Sequence, residues 1–323
     1  MIDHCKRTLL ARASEWQLPV DGKWTFLFHN NYQPSGSSIN LLWFHGNEPF
    51  PNAVAKICRS AHLLEREGRS LTTAHRAVGK HVPRPLDFYS AEGFWVLWMS
   101  GVPGFRVPPR RRYARAELIG AVDMVVSIHG ALKSEHPEGC SDRHERMVAK
   151  PLKAVAEFGN SPAVRAGCAA LAEATAGSYL RGLPVIPQHG DLFLDNVLHF
   201  RDQWHVVDWE SFGAVDLPFY DLLTLLLSVL GTFGELPANV DGKVVQQIPF
   251  LAERYATGIG LPETLISTLL PLTLVNRFYL NWIEKRDRLT DRLYRGIEGF
   301  FTHKQTWDEI FGVSATTARS GIV

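Results

Sequence analysis

Two aspartates and an asparagine, set at fixed intervals in an otherwise apolar stretch, constrain this sequence more than any other feature. Asp191 and Asn196 stand five residues apart in the run His-Gly-Asp-Leu-Phe-Leu-Asp-Asn, and Asp208 follows twelve residues later. Between them, apolar runs lie on either side of Arg-Asp-Gln at 201–203, a pattern that predicts a strand, a turn and a second strand. The stretch therefore predicts a loop, a hairpin and a carboxylate at the exit of the hairpin.

This set of polar groups suits phosphoryl transfer from a nucleotide to a hydroxyl. In protein kinases the loop His-Arg-Asp-x-x-x-x-Asn supplies an aspartate that accepts the hydroxyl proton and an asparagine that binds magnesium, and a second aspartate also binds metal. Carboxylate and amide oxygens are ligands that magnesium prefers. The alternative is that Asp191 caps a local turn, but such a cap explains neither Asn196 nor Asp208.

The sequence resembles the aminoglycoside phosphotransferase and choline kinase branch of the protein-kinase-like fold. In that branch a glycine commonly replaces the arginine of the kinase loop, as Gly190 does here, and the metal-binding aspartate stands in a triplet like Asp-Trp-Glu at 208–210. The resemblance implies an α+β, bilobal protein-kinase-like fold: an antiparallel β N-lobe with one helix, and a mainly helical C-lobe. It also implies that Asp191 is the catalytic base and that Asn196 and Asp208 bind Mg²⁺.

The periodicity of the chain places the lobes. Strand patterns fill the first hundred residues, the run Ser-Gly-Val-Pro-Gly at 100–104 breaks them, and amphipathic helix patterns follow. We predict an N-lobe over 1–99 that covers the nucleotide, a hinge at 100–104, and a C-lobe over 105–323 with the catalytic loop and the acceptor site. A chain of 323 residues is long for one core, which agrees with two lobes.

A lysine inside an apolar run marks the expected nucleotide site. Lys56 lies in Ala-Val-Ala-Lys-Ile-Cys at 53–58, and an unpaired ammonium in a buried strand is costly, so we predict a partner for it. The resemblance assigns Lys56 to the nucleotide phosphates and Glu67, eleven residues later, to an ion pair with Lys56. Glu65 is the alternative partner.

Two more segments are predicted to contact the nucleotide. A turn at 33–38 joins two predicted strands, and the backbone N–H groups and hydroxyls of such a turn can bind phosphate, although a plain hairpin turn is the alternative. The hinge would contact the purine through its backbone. The predicted contacts are Ser35, Gly36, Ser37 and Ser38 in the turn, and Met99, Ser100 and Gly101 at the hinge.

Three other polar residues are predicted to be structural. Asp216 precedes a proline near the start of an apolar helix and is expected to cap that helix. Asp221 matches the position that braces the catalytic loop in kinase-like folds. His129 lies on the apolar face of a predicted helix without metal-spaced partners, so we interpret it as a core histidine.

The composition limits the partners and the compartment. There are 34 Lys and Arg against 33 Asp and Glu, so neither nucleic acid nor a membrane surface is favoured. The four cysteines lie far apart, which predicts neither a zinc site nor a disulfide framework and agrees with a cytoplasmic location. The longest apolar stretch, 222–233, is too short to span a bilayer.

The resemblance implies a Mg²⁺-dependent phosphotransferase that moves the γ-phosphate of ATP or GTP to a hydroxyl of a small molecule. Residues 211–323 carry twelve acidic and ten basic side chains, and this near-neutral charge favours a sugar or natural-product acceptor over a polycationic aminoglycoside. An antibiotic resistance kinase is one alternative. A nucleotide-binding pseudokinase with a regulatory role is another. Protein-kinase activity is not expected, because no Ala-Pro-Glu segment follows Asp208.

Overall fold

The fold is seen in a computed structural model of the chain. The structure describes residues 1–31, 38–108, 113–133, 142–177, 179–237, 241–284 and 287–313. The chain divides into two compact units, which are Met1–Val107 with Asn196–Ser211, and Pro108–Asp195 with Phe212–Val323. The lobe limits drawn from the sequence, 1–99, 100–104 and 105–323, stay a prediction.

The first unit is built on a five-stranded antiparallel sheet. Its strands are β1 (Trp24–Asn31), β2 (Ser38–His45), β3 (Ala53–Cys58), β4 (Pro85–Ala91) and β5 (Phe94–Ser100). They are ordered β1-β2-β3-β5-β4 across the sheet, so β3 is the central strand. Because β2 and β5 pair with it on either side, the main chain of β3 around Lys56 is fixed along both edges.

Two helices pack on opposite faces of this sheet. Successive side chains of a strand point to opposite faces. Ala55 and Ile57 of β3 pack in the tryptophan-rich core under α1 (Ile2–Arg12), whereas Cys58 packs with Leu64 of α2 (Ala61–Val78). Lys56 alternates with the first pair, and it therefore lies on the face that α2 covers.

The hairpin predicted after the polar loop is confirmed, and it belongs to the first unit. Strands β6 (Phe105–Arg106), β7 (Val197–Phe200) and β8 (Gln203–Val206) form a three-stranded sheet, with β7 and β8 antiparallel. Asp208 comes two residues after β8 ends. The backbone N–H of Val207 donates to the carbonyl of Asn196 at 3.0 Å, so the two ends of the hairpin lie together.

The second unit is helical in the part that the structure describes. Its α-helices are α3 (Arg115–Leu132), α4 (Lys150–Phe158), α5 (Pro162–Ala174), α6 (Tyr220–Val229), α7 (Gly242–Val245), α8 (Ile248–Ile259), α9 (Ile266–Ile283), α10 (Asp287–Thr302) and α11 (Lys304–Ile310). Helix α9 is buried over most of its length and contacts α4, α6 and α10. It therefore forms the centre of this unit.

Among the described helices, none is by itself long and apolar enough to cross a membrane. The pair Gly242–Ile259 and Glu263–Ile283 meets the length and composition criteria only when taken together, and it is bent by 116°.

A buried arginine ties the segment before the polar loop to the helices. Arg143 donates Nε–H to the Asp216 carboxylate at 2.8 Å, and its other N–H groups donate to the carbonyls of Leu180, Leu183 and Pro184 at 2.8 to 2.9 Å. Arg143 and Asp216 are both buried. Through these hydrogen bonds the Arg143–Asp216 pair holds residues 179–184, the segment before the polar loop, in place.

The prediction that Asp216 caps the following helix is wrong. Helix α6 begins at Tyr220 with Phe219 at the N-cap position. The Asp216 carboxylate instead binds Arg143 and, at 3.0 Å, Arg146. An ion pair with two guanidinium groups satisfies this buried carboxylate more fully than two or three backbone N–H groups would.

We expect Arg143→Met to lower the free energy of unfolding of the second unit by about 3 kcal/mol, because it leaves a buried carboxylate without its main partner. Arg165→Met on the exposed side of α5 is the matched control, with an expected change below about 0.5 kcal/mol. Urea unfolding followed by far-UV circular dichroism measures both. Equal midpoints for the two variants would contradict the role given to Arg143.

Candidate active site

A lysine on the central strand of the first unit lies among three carboxylates. Lys56 Nζ is 2.8 Å from Glu67 Oε2, 3.1 Å from Asp208 Oδ1 and 3.7 Å from Glu210 Oε2. Lys56 and Glu67 are buried, at 6% and 4% exposure. These contacts join β3, α2 and the segment after β8 at one point.

The structure brings Glu67, and not Glu65, to the lysine. Glu65 is one helix turn from Arg69, and its carboxylate contacts that arginine at 3.2 Å. The Arg69 side chain is mostly exposed, and that of Glu65 is partly exposed. Glu67 is on the buried face of α2 with Leu64 and Leu71, which is the face that packs against the sheet.

The charges in this cluster alter each other's ionisation. Burial by itself lowers the pKa of the Lys56 ammonium, yet the attraction of the carboxylates of Glu67, Asp208 and Glu210 outweighs it and raises the pKa above its ordinary value. Burial raises the pKa of Glu67 to about 7, Asp208 and Glu210 add to the rise, and Lys56 opposes it. The cluster therefore holds more carboxylate charge than one ammonium balances.

This excess of oxygen donors suits a divalent cation. Oxygen atoms of Glu67, Asp208 and Glu210 all lie within 4.8 Å of one another. Hard cations such as Mg²⁺ bind carboxylate oxygens and retain several waters, so partly exposed carboxylates like Asp208 and Glu210 are compatible ligands. Glu210 has no part in the prediction from the sequence. The sequence feature that could have identified Glu210 is its position two residues after Asp208, in the Asp-Trp-Glu triplet described above.

The backbone at Asp208 takes a conformation that few residues tolerate. Its φ is 67°, in the left-handed region, where aspartate and asparagine occur more often than other non-glycine residues. Such a conformation costs on the order of 1 kcal/mol. Trp209 is buried directly after it and donates its indole N–H to the carbonyl of Val206 at 2.9 Å. The tryptophan thus holds the turn that directs the Asp208 carboxylate toward Lys56.

A cavity of about 510 Å³ adjoins this cluster within the first unit. The predicted site residues that line it are Lys56, Glu67, Met99, Ser100, Asn196 and Asp208. Its volume is within the range of small-molecule and cofactor sites. Asn196 and Asp208, which the sequence analysis selected by their spacing, therefore line the same cavity.

Of the remaining predicted nucleotide contacts, the two that the structure describes, Gly101 and Ser38, are not among the residues that line this cavity. Gly101 packs against the loop before β3: its N–H donates to the Asn52 carbonyl at 2.9 Å, and a Cβ there would overlap the carbonyl oxygen of Pro51. Ser38 is the first residue of β2, paired with β1. Ser35, Gly36 and Ser37 lie outside the described residues.

In the second unit, the loop that carries Asp191 is held by a buried carboxylate. Asp221, at the start of α6, accepts the backbone N–H of His189 at 2.6 Å and that of Gly190 at 3.0 Å. Gly190 has a φ of 88°, which suits glycine and brings both N–H groups to one side. The bracing contact expected of Asp221 is therefore present.

A second layer of hydrogen bonds supports Asp221 in turn. His129 Nε2 lies 3.1 Å from the Asp221 carboxylate, and His129 Nδ1 lies 2.6 Å from the Tyr255 hydroxyl. The backbone N–H of Asp221 donates to the side chain of Gln188 at 2.9 Å. His129 is buried with both ring nitrogens engaged, so its interpretation as a core histidine is confirmed.

Asp191 presents a half-exposed carboxylate beside a buried arginine. Arg277 Nη2 is 3.8 Å from Asp191 Oδ1, and the guanidinium carbon lies 3.5 Å from the centroid of the Phe193 ring. Asp191 keeps 42% of its side chain exposed, against 7% for Arg277. Arg277 was missed in the sequence, although a lone arginine inside the apolar helix α9 is the kind of residue that marks a buried polar contact.

The chain matches the profile of one protein family over most of its length. The APH phosphotransferase enzyme family matches residues 33–252, which confirms the resemblance drawn from the residues. No curated protein matches the chain.

Solved structures match over nearly the whole chain. A choline/ethanolamine kinase family protein from Mesorhizobium loti shares 17% identity, with 97% of each chain covered and a TM-score of 0.56. Aminoglycoside 2'-phosphotransferase-IIIa shares 12%, covering 93% of this chain and 99% of its own, with a TM-score of 0.59. A putative fructosamine-3-kinase from Thermobifida fusca shares 18%, covering 90% and 98%, with a TM-score of 0.54. At these identities the matches confirm the fold, which is α+β and protein-kinase-like.

We expect Asp221→Asn to free the loop that carries Asp191, because the amide offers one acceptor oxygen where the carboxylate offers two charged ones. Hydrogen exchange of the peptide spanning 187–193 should become at least about tenfold faster, which corresponds to roughly 1.4 kcal/mol of local stability. Asp123→Asn, which affects an exposed ion pair with Arg254, serves as the control. Unchanged exchange at 187–193 would show that Asp221 does not brace the loop.

Proposed function

The chain belongs to the phosphotransferase enzyme family, and we propose that it moves the γ-phosphate of ATP or GTP to a hydroxyl of a sugar or natural product. It is a kinase whose acceptor is a small-molecule alcohol. Kinases of this family use a nucleoside triphosphate with Mg²⁺. The observation that carries the proposal is the cluster of Lys56, Glu67, Asp208 and Glu210 beside a cavity of nucleotide size.

Lys56 would bind the nucleotide phosphates. Its ammonium stays charged because carboxylates surround it, and the ion pair with Glu67 at 2.8 Å fixes the direction of its side chain. A preorganised charge of this kind stabilises phosphate oxygens without being reoriented during the reaction. The matched structure of aminoglycoside 2'-phosphotransferase-IIIa is a GDP complex, and that of amicoumacin kinase contains AMP-PNP, which supports a nucleotide as the occupant here and leaves both purines open.

Asn196 and Asp208 would hold Mg²⁺, with Glu210 as a further carboxylate nearby. Both residues line the same cavity and offer the oxygen ligands that this ion prefers. The chemistry that Mg²⁺ supplies when bound is neutralisation of the charge on the β- and γ-phosphate oxygens. The unbalanced carboxylate charge around Lys56 supports this assignment, because it favours an added cation.

Asp191 would act as the catalytic base. Its half-exposed carboxylate can accept the proton of the acceptor hydroxyl while the hydroxyl oxygen forms a bond to the γ-phosphorus and the bond to the β-phosphate oxygen breaks. Such transfers have loose transition states, so positioning supplies most of the rate. The hydrogen bonds from His189 and Gly190 to Asp221 support this role, because they fix the loop on which Asp191 stands.

We expect Asp191→Asn to lower the rate of phosphate transfer by about 10² to 10⁴, because the amide cannot accept the hydroxyl proton. Nucleotide affinity should stay within about twofold, since this residue would act on the acceptor. Asp202→Asn, in the exposed turn of the hairpin, is the control and should keep full turnover. Normal turnover in Asp191→Asn would refute the role of base.

A second variant tests the metal ligand without changing the turn. Asp208→Asn preserves a residue type that tolerates the left-handed backbone but removes the anionic oxygen. The increase in nucleotide affinity that Mg²⁺ produces should fall by at least about tenfold. Titration of the nucleotide with and without Mg²⁺ measures it. A variant that keeps the whole Mg²⁺ increment would show that Asp208 is not the ligand.

The proposed reaction is tested by mass spectrometry of candidate acceptors. The protein is incubated with ATP or GTP, Mg²⁺ and a panel of sugars, amino alcohols, hydroxy acids and aminoglycosides. Addition of one phosphate to a sugar or natural-product hydroxyl, absent with Asp191→Asn, is the expected result. Addition to aminoglycosides alone would make the chain an antibiotic kinase, and tight nucleotide binding with no transfer would favour the pseudokinase.

A further inference from the structure

A second cavity, of about 410 Å³, lies in the second unit beside the loop that carries Asp191. Its walls include Phe193 and Asp195 of that loop, Phe233 of the segment after α6, and Arg292 of α10. The walls thus combine two aromatic rings, a guanidinium group and a carboxylate. No step proposed above uses Arg292 or Phe233.

Two arginines cover the aromatic rings of this cavity. The guanidinium carbon of Arg277 lies 3.5 Å from the centroid of Phe193 and 5.1 Å from that of Phe233, and that of Arg292 lies 4.2 Å from the centroid of Phe233. All three distances are within the range of cation–π contacts. The rings are therefore already engaged by cations of the protein itself.

The backbone fixes this arrangement. A Cβ at Gly296 would overlap the carbonyl oxygen of Phe233, so α10 and the segment that carries Phe233 approach as closely as glycine permits. Arg292 is four residues before Gly296 and lies on the same face of the helix. The close approach therefore places the Arg292 side chain over Phe233.

This arrangement disfavours a ligand cation and favours a ligand anion. An ammonium group would compete for ring faces that Arg277 and Arg292 occupy, and it would meet their like charge. A carboxylate or phosphate would instead meet the planar donors of Arg292, which match its oxygens in pairs. Asp195, the carboxylate among the described lining residues, is exposed, and its charge is screened by water. Arg292 is exposed as well, but its contact with Phe233 holds the guanidinium at the cavity.

We propose that this cavity receives the acceptor, and that the acceptor carries a carboxylate or phosphate group held by Arg292. The inference rests on the proposed function, since it takes the loop of Asp191 as the place where the acceptor hydroxyl reacts. Arg277 is buried, with its guanidinium carbon 3.5 Å from the Phe193 centroid and Nη2 3.8 Å from Asp191 Oδ1, and it positions both Phe193 and the base.

Matched probes test the sign of the ligand charge. 4-Hydroxyphenylacetate and tyramine share a phenol ring and differ in a terminal carboxylate or ammonium group. Ligand-observed NMR on the full chain with AMP-PNP and Mg²⁺ gives the affinity of each. We expect the carboxylate to bind roughly tenfold more tightly to the wild-type protein, and Arg292→Glu to remove or reverse this preference.

Arg295→Glu is the control, because it makes the same change of charge about one turn further along α10, on an exposed residue that does not line the cavity. It should leave the ratio of the two affinities unchanged. The proposal is overturned if tyramine binds as tightly as the carboxylate, if neither probe binds at millimolar concentration, or if both arginine variants shift the ratio equally.

The two proposals fail in distinguishable ways. If the wild-type protein shows no preference for the carboxylate probe, yet binds nucleotide and transfers phosphate in a way that Asp191→Asn abolishes, only the acceptor class is refuted. A wild-type protein that neither binds nucleotide with Mg²⁺ nor transfers phosphate would refute the phosphotransferase reaction itself, whatever the probes show. Faster transfer to aminoglycosides by Arg292→Glu than by wild type would support the place of the cavity and identify Arg292 as the residue that excludes cations.

Discussion

The first unit depends on one buried charge. A lysine in the central strand of a sheet loses its hydration, and the loss is recovered only if carboxylates approach from other elements. Lys56 obtains Glu67 from α2 and Asp208 and Glu210 from the segment after β8. The contacts that offset the cost of burying the lysine therefore also hold α2, β3 and the segment after β8 together. The packing of these elements and the geometry of the site thus have one cause.

The second unit uses the same principle with the signs reversed. Buried carboxylates of Asp221 and Asp216 organise it, the first through backbone N–H groups of the polar loop and the second through Arg143. Asp221 fixes the loop before Asp191, and the Arg143 bound to Asp216 fixes the short 3-10 helix Tyr179–Gly182 and the residues after it. The backbone before Asp191 is therefore tied directly to the helices behind it.

Local signals in the sequence predict the hairpin and the buried lysine, whereas contacts between distant residues could not be predicted. The hairpin is formed by consecutive residues, 197–206, and Lys56 is conspicuous as a charge inside an apolar run. Which glutamate of α2 pairs with it depends on the face that meets the sheet, and the resemblance, not helix periodicity, indicated Glu67. Arg277 meets Asp191 across 86 positions (277 − 191), and Asp216 meets its two arginines across 70 and 73. Read alone, each of these charges is compatible with a solvated side chain or a helix cap, and only the packing of the helices decides which are buried together.

The left-handed backbone at Asp208 has an evolutionary consequence. The residues that tolerate this conformation best are glycine, asparagine and aspartate, and codons for the first two are one nucleotide away from those for aspartate. A single base change can therefore remove the anionic oxygen while the turn, the buried tryptophan after it and the sheet keep their shape. At this position the carboxylate can be lost while the fold is kept, because Glu67 and Glu210 still pair with Lys56, so a lineage that discards the reaction can keep the folded chain for another use.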